Sequence, residues 1–361
     1  MNLTIFGAQS IALSTYEAIH NLYPEKQITC FLVSEQGINP PGLLGLPVME
    51  LKQYVKEFTE QEKNNTEILI ATPENVMPEI ERSLDQCGLC SHVRLTSTRW
   101  AQLMSYYYAA EGTFMPLASF PVGYHSADIR MYMAKFYRDK ELNSSYEIPS
   151  WISPVQVGAA LCEERVADIV DCEGDNISHK NVNYSELTAL YWLWKNGLQD
   201  SAKEKEDVYY GLVHYRRILE LSEDDILRLP DNDIDVVLPF PMPYEPNIEA
   251  HHERYLKSED WEAVGKAIQQ LHPEYQDDLA ELLKQRYFYN YNIVLAKEKV
   301  LTEYCEWLFP ILERVEDLSV PKGADRADRY IGYVGETLCT LYFMANKDKL
   351  NIAHAGCRFL T

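Results

Sequence analysis

The chain has 361 residues, of which 46% are apolar, so it is long enough for two globular domains with substantial cores. Its formal net charge of −22 argues against nucleic-acid binding and against adhesion to anionic lipid, both of which depend on surplus Lys and Arg. No apolar run approaches the ~18 residues of a membrane span, and the N-terminus lacks a signal-peptide pattern. We therefore expect a soluble, cytoplasmic protein, peripheral at most to a membrane-bound assembly.

Residues 1–110 alternate between strand and helix patterns. The predicted strands are residues 3–7, 28–33, 67–72 and 92–95, and the predicted helices are residues 11–22 and 76–87. Because strands that alternate with helices form parallel sheets with crossover connections, we predict an α/β fold with a Rossmann-like N-terminal domain. A linker at residues 111–127 would follow, and residues 128–361 would form the second domain.

The turn after the first predicted strand lacks a dinucleotide-binding fingerprint. Residues 7–12 contain one glycine, Gly7, where the fingerprint needs three, and no acidic residue ends the second strand at Val33. This domain is similar to the small N-terminal Rossmann-like domains of bacterial sugar acyltransferases. Two roles stay open for it: a scaffold that docks another protein, or a small-ligand site near Gly7 and Ser10.

The most informative segment of the second domain begins with a helix pattern. Asn183 is placed to cap this helix, Glu186 completes a capping box, and Gly197 follows its last turn. Asp175, Asn176, Asn181 and Glu186 are our candidates for binding a nucleotide sugar, because their polar groups suit a base and ribose hydroxyls. Asx-turns and helix caps use the same residue types, which is the alternative for Asp175 and Asn176.

A predicted strand at residues 208–213 ends in His214, Tyr215, Arg216 and Arg217. Ligands of open α/β sheets bind at the carboxyl ends of strands, so these cations indicate a polyanionic ligand such as a diphosphate. His214 and Arg216 would share one face and Arg217 the other, unless the strand has already ended. Alternatively, the arginines pair with some of the 55 acidic residues.

A late helix pattern at residues 332–345 places Glu336 in its first turn. There the carboxylate could be the catalytic base, or could simply complement the helix dipole, which would keep it ionised. Asp325 and Asp328 in the preceding loop are the next candidates for a base. Tyr244, in a long proline-rich loop, and Tyr291 and Asn292, in a predicted strand at residues 289–297, are candidates for acceptor binding. We expect the adjacent His251 and His252 of that loop to be exposed.

Several blocks of the second domain resemble one bacterial family, that of capsular polysaccharide and exopolysaccharide biosynthesis glycosyltransferases, known as a domain of unknown function. The matching blocks are residues 174–178, 186–196, 210–217, 289–297, 304–312 and 332–338. The resemblance implies a GT-A-like fold and transfer of a hexose, galactose or galactofuranose, from a nucleotide-diphosphate donor such as a UDP-sugar. The acceptor would be a hydroxyl of a glycan or lipid-linked glycan, and the reaction a single inverting displacement.

Many GT-A enzymes hold a divalent metal with an Asp-x-Asp at the place where this chain has its His-Tyr-Arg-Arg. Asp231, Asp233 and Asp235 have that spacing but precede a strand. We therefore expect weak or absent dependence on Mn²⁺ or Mg²⁺, and no further cofactor.

Two rival functions are a catalytically idle binding module of glycan synthesis and a sugar acyltransferase. The second lacks support, because no hexapeptide repeats are present.

Overall fold

The computed structural model describes residues 2–142, 146–198, 207–320 and 328–361. The elements of the first domain are β1 (Asn2–Phe6), α1 (Ser10–Leu22), β2 (Ile28–Val33), β3 (Gly42–Leu43), β4 (Leu46–Glu50), α2 (Leu51–Glu57), α3 (Glu60–Asn64), β5 (Thr66–Ile70), α4 (Met77–Gln86), β6 (His92–Arg94) and α5 (Ser97–Glu111). Their sheet has the order β3-β4-β2-β1-β5-β6, and every pair except β3 with β4 is parallel. The predicted Rossmann-like parallel sheet is confirmed.

The turn after β1 needs its glycine for a steric reason. Gly7 has a φ of +133°, and a Cβ at this position would lie 2.5 Å from the carbonyl oxygen of Ala71. The carboxyl ends of β1 and β5 therefore meet closely before the chain enters α1. The sequence analysis did not predict α5, although its buried residues Trp100, Met104, Tyr107 and Tyr108 follow the i, i+4, i+7, i+8 spacing of one helix face.

The second domain follows a connection that contains a short 3₁₀ turn at Leu117–Ser119. Its elements are β7 (Asp128–Lys135), β8 (Ile152–Gln156), β9 (Ile169–Val170), α6 (Asn181–Tyr184), α7 (Leu187–Trp192), β10 (Val208–His214), β11 (Arg217–Leu219), α8 (Glu223–Asp231), β12 (Val236–Pro239), β13 (Met242–Pro243), α9 (Ile248–His252), α10 (Ser258–Leu271), α11 (Gln276–Lys284), β14 (Tyr287–Phe288), β15 (Val294–Lys297), α12 (Glu298–Leu318), α13 (Tyr330–Ala345), β16 (Ile352–Ala355) and β17 (Cys357–Phe359).

The main sheet of this domain has the order β16-β12-β15-β10-β7-β8-β9. β15 runs antiparallel to both of its neighbours, and the remaining pairs along this path are parallel. β10 is central and packs on both sides: Tyr210 and Leu212 contribute to the core that includes α12 and α13, and Tyr209 and Val213 to the opposite core. This mixed sheet, parallel apart from β15, agrees with the GT-A-like fold that we expected.

The two domains are in contact through side chains and packed helices. α5 packs against α1 of its own domain and against β17 of the second. Arg286 donates to Glu17 across the boundary at 2.7 Å and also pairs with Glu245 at 2.8 Å. The predicted boundary after residue 110 lies one residue before the end of α5 and stays a prediction. Within the described residues, no helix is long and apolar enough to cross a membrane.

Three local predictions in the second domain are wrong. The helix predicted from Asn183 to Gly197 is broken at Ser185, whose φ of +52° is incompatible with helix, so Glu186 completes no capping box with Asn183. The strand predicted at residues 289–297 begins at Val294, because Tyr291 and Asn292 adopt φ of +73° and +50°. The late helix begins two residues earlier than predicted, at Tyr330.

Candidate functional site

The carboxyl end of β10 and the start of the antiparallel β15 lie at the same edge of the second sheet. β10 ends at His214, the chain turns through Tyr215 and Arg216, and Arg217 pairs with His214 in the antiparallel β11. A cavity of about 270 Å³, here called the β10 cavity, opens at this edge. Its lining residues are His214, Arg217, Tyr244, His251, His252, Tyr255, Leu256, Phe288, Asn290, Tyr291, Arg329, Tyr333 and Glu336.

The two arginines of the turn differ in their surroundings. The guanidinium carbon of Arg217 lies 3.9 Å from the ring centre of Tyr291, and Arg217 lines the β10 cavity. Arg216 is not part of that lining, and its guanidinium lies 5.0 Å from the ring centre of Phe359 on β17. Because the strand has already ended at His214, the expected alternation of faces does not apply. Arg217 is therefore the better candidate for an anion contact.

Glu186 is a buried carboxylate held by three partners. The amide of Asn292 donates to its Oε1 at 2.7 Å, and Arg329 donates to its Oε2 at 3.3 Å. The Nε2 of His214 lies 3.6 Å from Oε1 and donates to the carbonyl oxygen of Tyr291 at 2.7 Å. Burial alone would raise the pKa of Glu186, but His214, Arg329 and Asn292 together lower this pKa to about 2. These three partners therefore favour the ionised form of Glu186.

Glu336 lines the β10 cavity from the second turn of α13. Burial, together with the charge of Glu186, raises the pKa of Glu336 to about 8, against the opposing effects of the Tyr291 N–H, Arg329 and Arg217. The expectation that a first-turn position and the helix dipole keep this group ionised is wrong. α13 begins at Tyr330, so the dipole acts at a distance, and desolvation dominates. At neutral pH the Glu336 carboxyl is mostly protonated.

The turn before β15 contains Tyr291 and Asn292, and it positions polar groups next to the carboxyls of Glu186 and Glu336. Tyr291 and Asn292 occupy the left-handed region, which is unusual for a bulky side chain such as tyrosine. This conformation directs the Tyr291 carbonyl to His214 and the Asn292 amide to Glu186 and to the carbonyl of Gly332. The candidate acceptor residues Tyr244 and Tyr291 line the cavity, and Asn292 is 2% exposed behind them.

The expectation that His251 and His252 are exposed is wrong for both. His252 is buried, and its Nε2 lies 3.1 Å from the hydroxyl of Thr337. The ring of His251 stacks on Tyr244 with 3.6 Å between ring centres. Burial lowers the pKa of both imidazoles, to about 4 for His251 and about 3 for His252. Both are neutral at physiological pH and provide flat, weakly polar surfaces.

The candidate nucleotide-binding residues Asp175, Asn176 and Asn181 are not among the residues that line the β10 cavity. The Asn176 side chain bonds its own loop, donating to the carbonyls of Cys172 and Gly174. The Asn181 amide donates to Ser185 and Thr188, and the hydroxyl of Tyr191 lies 3.2 Å from a carboxylate oxygen of Asp175. These contacts favour local structural roles, and nucleotide binding by the three residues stays a prediction.

Sequence reasoning missed two charged residues of the site. Arg329, just before α13, donates to the Ser185 hydroxyl at 2.7 Å as well as to Glu186. Asp139, in the loop after β7, interacts electrostatically with His214 and Arg329, although burial raises its pKa. The sequence around Arg329 and around Asp139 contains no pattern that indicates a functional residue. Of the alternative bases, Asp328 accepts from Asn183 through its backbone carbonyl, and Asp325 lies outside the described residues.

A metal site is not apparent in the described part of the chain, where no three His, Cys, Asp or Glu side chains are grouped to hold an ion. Asp233 and Asp235 both bind Lys297, and Asp231 binds His125. The Asp-x-Asp spacings before β12 are thus used in ion pairs. Metal dependence itself stays a prediction.

Comparison with known proteins shows which family the chain belongs to. Residues 140–347 match the family described as "Domain of unknown function (DUF4422)". Because the match spans more than half of the chain, the chain belongs to this family. No curated protein matches it. A solved apo structure of the WbbM bifunctional glycosyltransferase is similar, with a TM-score of 0.53 and 25% sequence identity. That match covers 65% of this chain and 45% of the other, so the chain spans less than half of that relative.

Proposed function

We propose that this DUF4422 protein is a glycosyltransferase that moves a hexose from a nucleotide-diphosphate donor to a hydroxyl of a glycan or lipid-linked glycan. The leading donors are UDP-galactose and UDP-galactofuranose, and the products would be capsule or exopolysaccharide intermediates. The similarity to a bifunctional glycosyltransferase supports the class of reaction. The particular donor and acceptor rest on the resemblance of the sequence blocks.

The donor side of the proposed site is cationic. Arg217 and Arg329 both line the β10 cavity, at the strand edge where α/β sheets bind their ligands. A departing diphosphate gains negative charge as the glycosidic bond breaks, and two guanidiniums placed there stabilise that charge. His214 lines the same cavity, and its ring is held in place by the hydrogen bond from Nε2 to the Tyr291 carbonyl.

The acceptor side carries the proton transfer. In a single displacement, the acceptor oxygen attacks the anomeric carbon, the bond from that carbon to the diphosphate oxygen breaks, and its electron pair leaves with the diphosphate. The acceptor proton passes to the ionised carboxylate of Glu336, and the configuration at the anomeric carbon inverts. A base with a pKa of about 8 accepts a proton more readily than an ordinary carboxylate. The enzyme is active in the fraction that has Glu336 ionised.

One observation carries the proposal: the Glu336 carboxyl lines the same small cavity as Arg217 and Arg329, at the carboxyl end of β10. A carboxyl next to two guanidiniums, which suit the charge of a diphosphate, supports an inverting transfer at this cavity. Glu186, buried and ionised beside it, tunes the base without needing to touch substrate.

The test combines donor binding with turnover. Thermal unfolding in the presence of UDP-sugars and GDP-mannose identifies the donor, and release of the nucleoside diphosphate measures turnover. Glu336→Gln preserves size but cannot accept the proton, so we expect turnover to fall at least ~10²-fold with donor binding retained. Glu306→Gln, an exposed carboxylate on α12, is the matched control. Full turnover in Glu336→Gln, or binding without turnover in the wild type, would overturn the proposal.

A further inference from the structure

A second cavity lies between the two domains, directly beside the β10 cavity. It has a volume of about 520 Å³, and we call it the interdomain groove. The first domain contributes Gln9, Ser10, Ile38 and Leu44 to its wall, and the second contributes Pro246 and Arg254. Tyr244 and His251 line both the groove and the β10 cavity, so the two spaces share one wall.

The shared wall is a pair of stacked rings. The Tyr244 and His251 ring centres lie 3.6 Å apart, and the planes differ by 23°. The Tyr244 hydroxyl accepts from the Asn290 amide at 2.9 Å on the side of the β10 cavity, and it interacts with the Ser10 side chain of the first domain. One hydroxyl group is therefore in contact with both domains and lies beside the proposed transfer site.

Aromatic rings continue from His251 along the wall of the β10 cavity. Tyr333 lies 5.0 Å from Tyr255, and Tyr255 lies 5.3 Å from His251, measured between ring centres. Tyr255 is 48% exposed, which leaves its face open to a ligand. Flat rings pack against the apolar faces of sugar rings, while neighbouring amides and hydroxyls bind the sugar hydroxyls.

The groove has the chemistry of a carbohydrate site rather than a polyphosphate site, because Arg254 is the one arginine among the described residues that line it. Its polar side chains are the amide of Gln9, the hydroxyls of Ser10 and Tyr244, and the ionisable groups of Glu245, His251 and Arg254. Its carboxylate, Glu245, is paired with Arg286, and Arg254 donates weakly to Gln9 at 3.4 Å. Ile38 at the rim is 78% exposed and offers an apolar surface. Much of the remaining wall is apolar and includes Leu13, Pro40, Leu43 and Pro243, which suits the apolar faces of sugar rings.

We propose that the acceptor is a glycan longer than one sugar that binds across the domain boundary, with its reacting unit in the β10 cavity and its next unit in the interdomain groove. The first domain then contributes to acceptor recognition through Gln9, Ser10 and Ile38. This inference rests on the proposed function for its direction of transfer. The proposal that a glycan binds in both cavities does not depend on that function, because it is argued from the two cavities alone.

The experiment compares a one-sugar probe with a two-sugar probe. Binding of octyl β-galactoside and octyl β-lactoside is measured by saturation-transfer NMR. Transfer to each is measured with the donor that the thermal-unfolding experiment identifies. The double variant Gln9→Ala/Ile38→Ala removes two rim side chains, and Val93→Ala, exposed on β6, is the control. We expect the double variant to weaken octyl β-lactoside binding about tenfold, with octyl β-galactoside binding and donor affinity unchanged.

The outcomes separate the two proposals. If the wild type binds octyl β-lactoside but transfers nothing from any donor, the glycosyltransferase proposal fails. The proposal that the interdomain groove binds a glycan is then still supported. If the wild type transfers and the double variant weakens both probes equally or neither, the groove is not an acceptor site. Binding of neither probe by the wild type also overturns the inference. A fold defect in the double variant would appear as lost donor affinity, and the single variants Gln9→Ala and Ile38→Ala would then decide.

Discussion

Buried Glu186 and half-buried Glu336 lie at the same site, and the negative charge of Glu186 helps keep Glu336 protonated. Three partners stabilise the anion at Glu186, whereas Glu336 has less compensation and takes up a proton instead. Two carboxyls whose environments push their pKa values apart are a recurring arrangement in acid–base catalysis. Here the arrangement makes the site sensitive to pH, which leads to the first predictions.

Turnover should rise with pH and reach half of its maximum near pH 8. The base must be ionised to accept a proton, and the pKa of Glu336 lies at about 8 in the folded protein. The measurement is kcat/KM of the free enzyme between pH 5.5 and 9. A rate that is already maximal at pH 6 would mean that another group is the base.

Glu336→Gln should stabilise the fold at neutral pH while it removes activity. The folded protein holds the Glu336 proton up to pH 8, while the unfolded chain releases it near pH 4.5, so the wild type loses stability as pH rises through this window. Glutamine is neutral in both states and avoids the loss. We expect a gain on the order of 3 kcal/mol in unfolding free energy at pH 7 and almost none at pH 4. Urea unfolding at the two pH values measures the difference.

Glu186→Gln should move the activity profile toward lower pH. Removal of the Glu186 charge takes away one of the effects that raise the pKa of Glu336, so the base ionises earlier. The same change weakens the contacts of His214 and Arg329, so the variant should also be less stable above pH 4.5, where Glu186 is ionised in both states. An unchanged pH profile in a folded Glu186→Gln variant would show that the charge of Glu186 does not affect the ionisation of Glu336.

Arg217 and Arg216 should differ in their effect on the donor. Arg217→Ala removes a cavity guanidinium, so we expect nucleotide-sugar affinity and kcat to fall roughly 10–100-fold, with partial rescue by Arg217→Lys because the planar fork is lost. Arg216→Ala is the adjacent comparison and should change donor affinity little, because its guanidinium packs near Phe359. Isothermal titration with UDP measures both. A larger effect from Arg216 would reverse the assignment.

Chelation should leave most of the activity. The His-Tyr-Arg-Arg turn supplies positive charge where related folds use a metal, and Asp233 and Asp235 are bound to Lys297. The measurement is turnover after dialysis against EDTA, with and without added Mn²⁺. Complete loss that Mn²⁺ restores would show that a metal binds the diphosphate.

The sequence predicted the elements with a clear hydrophobic period and failed where conformation is set by tertiary contacts. The strand at β10 and the helix α13 were recognised because apolar residues repeat along them. The break at Ser185 had no signal, since the residue is not glycine and the helical pattern continues through it. That break is decisive for the site, because it detaches Glu186 from a capping role and leaves it buried beside His214.

The protonation state of Glu336 could also not be predicted from the sequence. Glu336 was identified as the candidate base from its place in a helix, but its raised pKa comes from desolvation and from Glu186, which is 150 residues away along the chain. Arg329 meets Glu186 across 143 positions for the same reason. Sequence spacing describes one element at a time, and these contacts join separate elements.

The pairing of β17 with β11 has a consequence for synthesis of the chain. Phe359 packs near both Arg216 and Arg217, and β17 pairs with the strand that follows the turn. During translation, the turn is made long before residues 357–359 emerge from the ribosome. Because β11 cannot pair with β17 before residues 357–359 have been made, the strand after the arginine turn lacks this partner until then. A nascent chain therefore carries the segment proposed to bind the donor without its β17 partner until residues 357–359 have been made.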